Sequence, residues 1–218
     1  MLEKFTAQKN NTLDTSKNLL LIFTRNPELG KCKTRLAAKT GDVAALEIYK
    51  FLLNRTVAFT KDLATSKKVY YSEEIWDEDI WPNTIYQKEL QKGENLGIRM
   101  RNAFQNGFDS GYEKIIIIGS DMYDLSLSEL EDAFKQLELN DYVIGPAEDG
   151  GYYLLGMTQL NEALFVNKEW GTSSVLASTL KNIEDEKIAL LPVKNDVDHY
   201  EDIKDIEAFQ PFIKHIKE

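Results

Sequence analysis

Two short, unbroken apolar runs organise the hydrophobic pattern of the chain: Leu19-Leu20-Leu21-Ile22-Phe23 and Ile115-Ile116-Ile117-Ile118. Both are bounded by polar or turn residues and have the length and branching of strands buried on both faces, the kind found in the middle of a parallel sheet. Helical periods fall between and after them: Ala45, Tyr49, Leu52, Phe59 and Leu63, then Leu96, Met100, Ala103 and Phe104, then Leu127, Leu130, Phe134 and Leu137. The third period has a start signal, because Ser126 followed by Glu129 fits a capping box. Weaker strand patterns lie at 68–72, 84–89, 142–145, 152–156 and 188–193, and a further helix is expected over 173–183. Alternating strands and helices predict an α/β fold, an open and mostly parallel sheet with helices on both faces. In such sheets ligands bind beyond the carboxyl ends of the strands, so the loops that follow strands are the ones to read.

Composition sets the scale. The 218 residues suit one large domain, expected over 18–218, with residues 1–17 as a flexible N-terminal extension. Apolar residues make up 43% of the chain and charged residues 28%, ordinary globular usage. The formal charge of -10 repels phosphate backbones and anionic lipid, which argues against nucleic-acid or membrane-surface partners. No apolar run approaches the roughly 20 residues of a membrane span, and the first residues have no apolar core of a signal peptide. Cys32 is the only cysteine, so an internal disulfide and a cysteine-based zinc cluster are excluded and a cytoplasmic location is expected.

Against that negative charge, the loop after the first strand stands out. Arg25, Lys31, Lys33 and Arg35 fall within eleven residues, with Pro27 and Gly30 shaping the turn. Free backbone N–H groups at a loop leading into a helix, joined by Lys and Arg, suit phosphate oxygens. The segment is neither a Walker loop nor a Rossmann fingerprint. A solvated basic loop is the plainer reading, but cations grouped here oppose the charge balance of the rest. After the second buried strand, Gly119-Ser120-Asp121 places a carboxylate where it can reach a divalent cation, which typically takes only one or two protein carboxylates. Asp124, close to the capping Ser126, suits a turn role. In Gly145-Pro146-Ala147-Glu148-Asp149-Gly150-Gly151-Tyr152-Tyr153 the glycines permit close backbone approach, and Asp149-Gly150 is also a type I′ hairpin signal. Asn195-Asp196-Val197-Asp198 could add a second metal carboxylate or cap a helix at His199. His199 and His215 have no metal-ligand spacing and are read as surface or packing residues. Trp170 is read as core or as a pocket wall, and Trp76 and Trp81 as partly buried anchors.

Taken together, five blocks resemble the DUF2064 group of glycosyltransferases within the nucleotide-diphospho-sugar transferase (GT-A) superfamily. They are Phe23 to Leu36, Gln91-Lys92-Gly93-Glu94-Asn95-Leu96-Gly97-Ile98-Arg99-Met100, Gly119-Ser120-Asp121, Gly145 to Gly156, and Asp196-Val197-Asp198. The resemblance implies a single-domain GT-A fold. It implies that Arg25, Gly30, Lys33 and Arg35 grip nucleotide phosphates, that Gly93, Asn95, Arg99 and Ser120 line the nucleotide pocket, and that Asp121, completed by Asp198, binds Mg²⁺ or Mn²⁺. Asp149 would lie near the transferred group and act with Lys33 in catalysis. Two positions depart from the family pattern, with Met122-Tyr123 in place of Cys-Pro and Asp198-His199 in place of Asp-Thr. The activity implied is metal-dependent glycosyl transfer from a nucleotide-sugar to an unidentified small-molecule acceptor. The Lys-x-Lys-Thr-Arg-Leu segment also resembles molybdenum-cofactor and phospholactate guanylyltransferases, which keeps nucleotidylyl transfer with pyrophosphate release as the alternative. A nucleotide-sensing domain without turnover is a third reading. Nothing in the sequence sets the oligomeric state.

Overall fold

The computed structural model describes residues 17–216, so the expected extension over 1–17 lies, save for Lys17, outside the described residues. In chain order the main elements are β1 (Asn18–Thr24), α1 (Thr34–Thr40), α2 (Asp42–Thr60), β2 (Ser66–Tyr71), β3 (Gln87–Leu90), α3 (Leu96–Asp109) and β4 (Lys114–Gly119). They continue as α4 (Leu127–Gln136), β5 (Tyr142–Pro146), β6 (Tyr152–Met157), α5 (Val175–Lys181), β7 (Ile188–Leu190) and α6 (Gln210–Ile213).

The strands form one seven-stranded sheet in the order β3-β2-β1-β4-β6-β5-β7. Only β6 runs antiparallel to its neighbours β4 and β5. The expected α/β fold is therefore present, a mostly parallel sheet with helices on both faces.

The two apolar runs explain themselves through the period of two in a strand. Leu20 and Ile22 join Ile116 and Ile118 in a core covered by Tyr49 and Leu53 of α2 and Leu130, Ala133 and Phe134 of α4. Leu19 and Leu21 join Ile115 and Ile117 on the opposite face, under Met100, Ala103 and Phe104 of α3 and, at its edge, Leu176 and Leu180 of α5. Each fully buried aliphatic side chain of β1 contributes about 1.5–3 kcal/mol relative to an exposed one, so a polar residue on either face of this strand would be costly. A third cluster unites Leu36 of α1, Ile48 and Leu52 of α2, and Val197, Phe209 and Ile213, and so ties the C-terminal segment behind α2. Ser126 begins α4 with the capping box expected from the sequence.

Other elements differ from the pattern. The strand expected at 84–89 is shifted to β3, and the one expected at 188–193 stops at Leu190, two residues before Pro192, which has no N–H for a ladder. α1 and α6 were not legible as apolar periods, because each spans only one or two turns. The connection between β5 and β6 is not a type I′ turn, which needs positive φ at both central residues. Positive φ occurs at Gly150 and not at Asp149, whose side chain accepts the Gly151 N–H at 2.7 Å. Among the described residues no helix is long and apolar enough to cross a membrane.

β1 is flanked by β2 on one side and β4 on the other, both parallel to it. The chain leaves β1 towards one edge of the sheet and returns at β4 to build the other. The loops after β1 and β4 therefore part from each other, which opens a crevice at the switch point.

Candidate functional site

The crevice is closed at its base by one ion pair. Lys33 precedes α1 in the left-handed region, at φ 50 and ψ 45, a conformation costing a non-glycine residue about 1–3 kcal/mol. It carries the side chain, 6% exposed, inwards, where Nζ donates to Oδ2 of Asp121 at 2.8 Å. Burial opposes the charge on Lys33, but Asp121, Asp198 and Asp196 outweigh it and hold the ammonium above its ordinary value. Burial likewise opposes the Asp121 carboxylate, and Lys33 and Arg25 outweigh that and hold it below the usual carboxylate range.

Tyr49 of α2 fixes the two loops to each other. Its Oη accepts the Arg25 N–H at 2.9 Å and lies 3.2 Å from Ser120 Oγ and 3.3 Å from Thr24 Oγ1. Ser120 Oγ also donates to Thr24 Oγ1 at 3.1 Å, and Thr56 Oγ1 donates to the Ser120 carbonyl at 3.2 Å. The ends of β1 and β4 thus share one buried polar network, and burial pushes the Tyr49 phenol up. Asn26 extends the frame to the segment after β2 by accepting the Glu73 N–H and donating to the Glu74 carbonyl.

The Gln91 to Arg99 block sits along the same rim. Gly93 has φ 146, and a Cβ there would lie 2.7 Å from Ile98 Cγ2 and 2.9 Å from the Arg99 nitrogen, so the close turn requires glycine. Asn95 is the N-cap of α3, accepting the Ile98 N–H. Arg99 donates through Nε to the Gly93 carbonyl at 3.0 Å. Gly93 and Asn95 shape the segment, and Arg99 is the member of the three that lines the cavity described next.

Two cavities meet in the crevice. The larger, about 560 Å³, is lined by Arg25, Lys31, Lys33, Arg35 and Arg99, together with Gln91, Ser120 and the acids Glu73 and Asp198. The smaller, about 240 Å³, has walls from Phe23, Met100, Tyr152 and Trp170, and its acids are Asp121, Asp149 and Asp196. Phe23, Leu96, Gly119 and Asp121 border both. Gly30, at φ 74, shapes the loop beside the cationic cavity. Asp149 is exposed on the β5–β6 turn.

The late acidic segment faces the same place. Arg35 Nη1 donates to Asp198 Oδ2 at 2.6 Å, so the two expected site residues are paired with each other. Asp196, which the sequence reading left unselected beside Asp198, has a carboxyl pushed up to about 6, first by burial and then by Asp121, with Asp149 and Asp198 adding to it and Lys33 opposing. Asp202, not Asp196 or Asp198, supplies the local cap by accepting the Asp198 and His199 N–H groups. Among the described residues no three His, Cys, Asp or Glu side chains already form a metal cage. The donor set is nevertheless all oxygen, and crowding of carboxylates around Asp196 is relieved by a cation. A hard divalent ion that keeps waters and substrate phosphates in its shell fits such a partial site.

Tyr49 and Asp196 are the crevice positions that the sequence pattern does not single out. Tyr49 falls in the apolar period of α2, with its hydroxyl the one signal of another role, and Asp196 stands in the Asp-x-Asp pair indistinguishable from its neighbour. Asp124 meets Lys194, whose Nζ donates to the Asp124 carbonyl at 3.0 Å, lies 3.5 Å from its carboxylate and also reaches Glu129 at 2.9 Å. His199 and His215 are exposed.

A family model described as "Uncharacterized protein conserved in bacteria (DUF2064)" matches residues 50–172. That span holds Asp121, Asp149 and the Gln91 to Arg99 block, while the cationic loop and Asp198 lie outside it. No curated protein matches the chain. Among solved structures, a "putative nucleotide-diphospho-sugar transferase" from Desulfovibrio desulfuricans G20 is 29% identical, with a TM-score of 0.82 over 89% of this chain and 90% of that one. The 4-diphosphocytidyl-2C-methyl-D-erythritol synthase of Anaerococcus prevotii is 12% identical, with a TM-score of 0.59 over 91% of this chain and 97% of its own. A manganese complex of a Mycobacterium tuberculosis H37Rv protein is 10% identical, with a TM-score of 0.55 over 92% of this chain and 100% of its own. The last two likenesses are of fold alone.

Proposed function

The chain belongs to the DUF2064 family, and from that premise we propose that it is a metal-dependent glycosyltransferase that takes a nucleotide-sugar donor and passes the sugar to a small-molecule hydroxyl. The observation that carries this reading is the separation of charge across Asp121. All the cations of the crevice line one cavity, where they outnumber Glu73, Asp121 and Asp198, and the charged groups of the adjoining, aromatic-walled cavity are all acids. The Desulfovibrio relative named for nucleotide-diphospho-sugar transfer supports the same class.

The departing nucleoside diphosphate would lie in the cationic cavity. Lys33, Arg25 and Arg35 would hold its oxygens through charge-assisted hydrogen bonds, which stabilise charge as it develops on the leaving group. Lys33 is already desolvated and fixed before substrate arrives, so little reorganisation is needed at the moment of reaction. Gly30 would let the loop backbone approach the phosphates, Arg99 would reach the nucleotide from α3, and Ser120, with Gly93 and Asn95, would keep the pocket in shape. Mg²⁺ or Mn²⁺ held by Asp121 with Asp198 or Asp196 would neutralise diphosphate charge. Asp149, exposed at the border of the apolar cavity, would accept the proton of the acceptor hydroxyl.

Nucleotidylyl transfer is the second reading, favoured by the Lys-x-Lys-Thr-Arg-Leu loop. Its usual nucleophile is a phosphate, which would have to enter the acid-lined cavity. Calorimetric titration with nucleoside triphosphates, diphosphates and nucleotide-sugars, with and without Mg²⁺ or Mn²⁺, tests the choice. Metal-dependent binding of one diphosphate and its sugar conjugate is expected. A preference for a triphosphate, with no nucleotide-sugar bound, would transfer the assignment to the second reading.

A further inference from the structure

The smaller cavity has a composition of its own that the donor chemistry leaves unexplained. Its aromatic wall is built in advance. The rings of Tyr152 and Trp170 meet edge to face, 6.5 Å apart at 87°, and α3 runs so close to the indole that a Cβ on Gly97 would lie 2.5 Å from Trp170 Nε1. Strand ends of β4 and β6 supply the floor and Met100 the facing side. Among the described residues the lining contains no Lys, Arg or His, and its three charged groups, Asp121, Asp149 and Asp196, are all acids.

We infer that this cavity binds the acceptor and selects an uncharged alcohol or phenol with a ring-sized apolar body. The inference rests on the glycosyl-transfer reading for its chemistry and on the cavity alone for its binding preference. An enclosed apolar space of about 150 Å³ is enough to hold benzene, so about 240 Å³ admits a ring with a hydroxyl-bearing substituent. Aromatic side chains favour edge or offset contact with such a ring. A carboxylate or phosphate on the acceptor would be desolvated beside Asp149 and Asp196, and the nearby cation, Lys33, is already paired with Asp121, which disfavours it. A fully hydroxylated sugar would find its partners confined to the three carboxylates and Thr172, and its other hydroxyls would face the apolar walls.

The step balances without a further reactant. The acceptor oxygen forms a bond to the anomeric carbon of the donor, the bond from that carbon to the β-phosphate oxygen breaks, and its electron pair leaves with the nucleoside diphosphate. The hydroxyl proton goes to a carboxylate at the cavity border, with Asp149 the exposed one.

Ligand-observed NMR titrations of the full chain at about pH 8, where the carboxylates are ionised, test the binding preference with benzyl alcohol, benzoate, phenyl phosphate and glucose as probes. Benzyl alcohol should bind at least about tenfold more tightly than the other three. Trp170→Ala should weaken benzyl alcohol by about tenfold while leaving inorganic pyrophosphate, the probe of the cationic cavity, bound as before. Because Trp170→Ala also removes packing against Gly97 and Tyr152, the double variant Asp149→Asn, Asp196→Asn supplies an opposite readout, a narrower gap between benzyl alcohol and benzoate. Glucose or phenyl phosphate binding as tightly as benzyl alcohol would overturn the inference, as would an unchanged gap in the double variant. Failure of pyrophosphate to bind the wild-type chain would strike the donor reading instead and leave the cavity result standing.

Discussion

Lys33 and Asp121 stand 88 positions apart in the chain, and their charged atoms are 2.8 Å apart at the base of the crevice. One comes from the loop after β1 and the other from the loop after β4, so the contact exists only because the sheet changes direction between those strands. The lysine reaches it through a left-handed backbone. The fold therefore holds a buried cation and a carboxylate at the border between a cationic and an apolar space.

Removing the cation should be felt first in phosphate binding. Lys33→Ala is expected to weaken pyrophosphate or nucleoside diphosphate by about 10- to 100-fold, the range for loss of one hydrogen bond to a charged group. Arg35→Ala, at an exposed side chain, should cost less. Calorimetric titration of both variants checks the order, and equal losses would count against the central place given to Lys33.

The polar network around Tyr49 predicts a stability effect. Tyr49→Phe leaves the buried Ser120 and Thr24 hydroxyls and the Arg25 N–H with one partner fewer, at a cost of about 1–3 kcal/mol. Urea denaturation measures it. A change below a few tenths of a kcal/mol would mean that the network relaxes onto other partners.

Asp196 predicts a pH dependence of the opposite sign to that of most acids. Its folded value is about 6, above the value of about 4 for an unfolded aspartate, so the folded chain holds the proton more tightly. The stabilisation is fully present below about pH 4 and is lost as the pH rises through about 6. Asp196→Asn should therefore raise the melting temperature at neutral pH and lose that advantage in acid, as thermal melts across this window will register. In the wild-type chain Mn²⁺ should bind more weakly as the pH falls below about 6.

Gly150 predicts a local failure. It has φ 87, and a Cβ would lie 2.4 Å from the Ser173 carbonyl oxygen. Gly150→Ala must move backbone on one side or the other, and is expected to cost about 2 kcal/mol or more, and to displace the turn that carries Asp149. A near-normal denaturation midpoint would show that the two segments are free to separate.

The legible parts of the sequence were those in which a single local rule governs. Four consecutive isoleucines can be accommodated only where both faces of a strand are covered, and Ser126 with Glu129 caps a helix wherever it begins. The cationic loop was visible because it contradicts the charge of the whole chain. The extent of β7 depended on where pairing with β5 ends, and α1 is held by packing of Leu36 in a cluster assembled from distant segments, so neither had a local pattern to read. Tyr49 and Asp196 escaped for a related reason. A tyrosine in a helical period looks like core until the strand ends it joins are in place, and the high proton affinity of Asp196 comes first from burial and then from carboxylates 75 and 47 positions away.

The most direct measurement of the central claim is the identity of the phosphorus product. A nucleotide-sugar bound by the chain would be incubated with Mn²⁺ and benzyl alcohol and followed by ³¹P NMR. The account predicts release of the nucleoside diphosphate with formation of a benzyl glycoside, and loss of both in Lys33→Ala. Pyrophosphate release from a nucleoside triphosphate, or nucleoside diphosphate release that Lys33→Ala leaves unchanged, would contradict it.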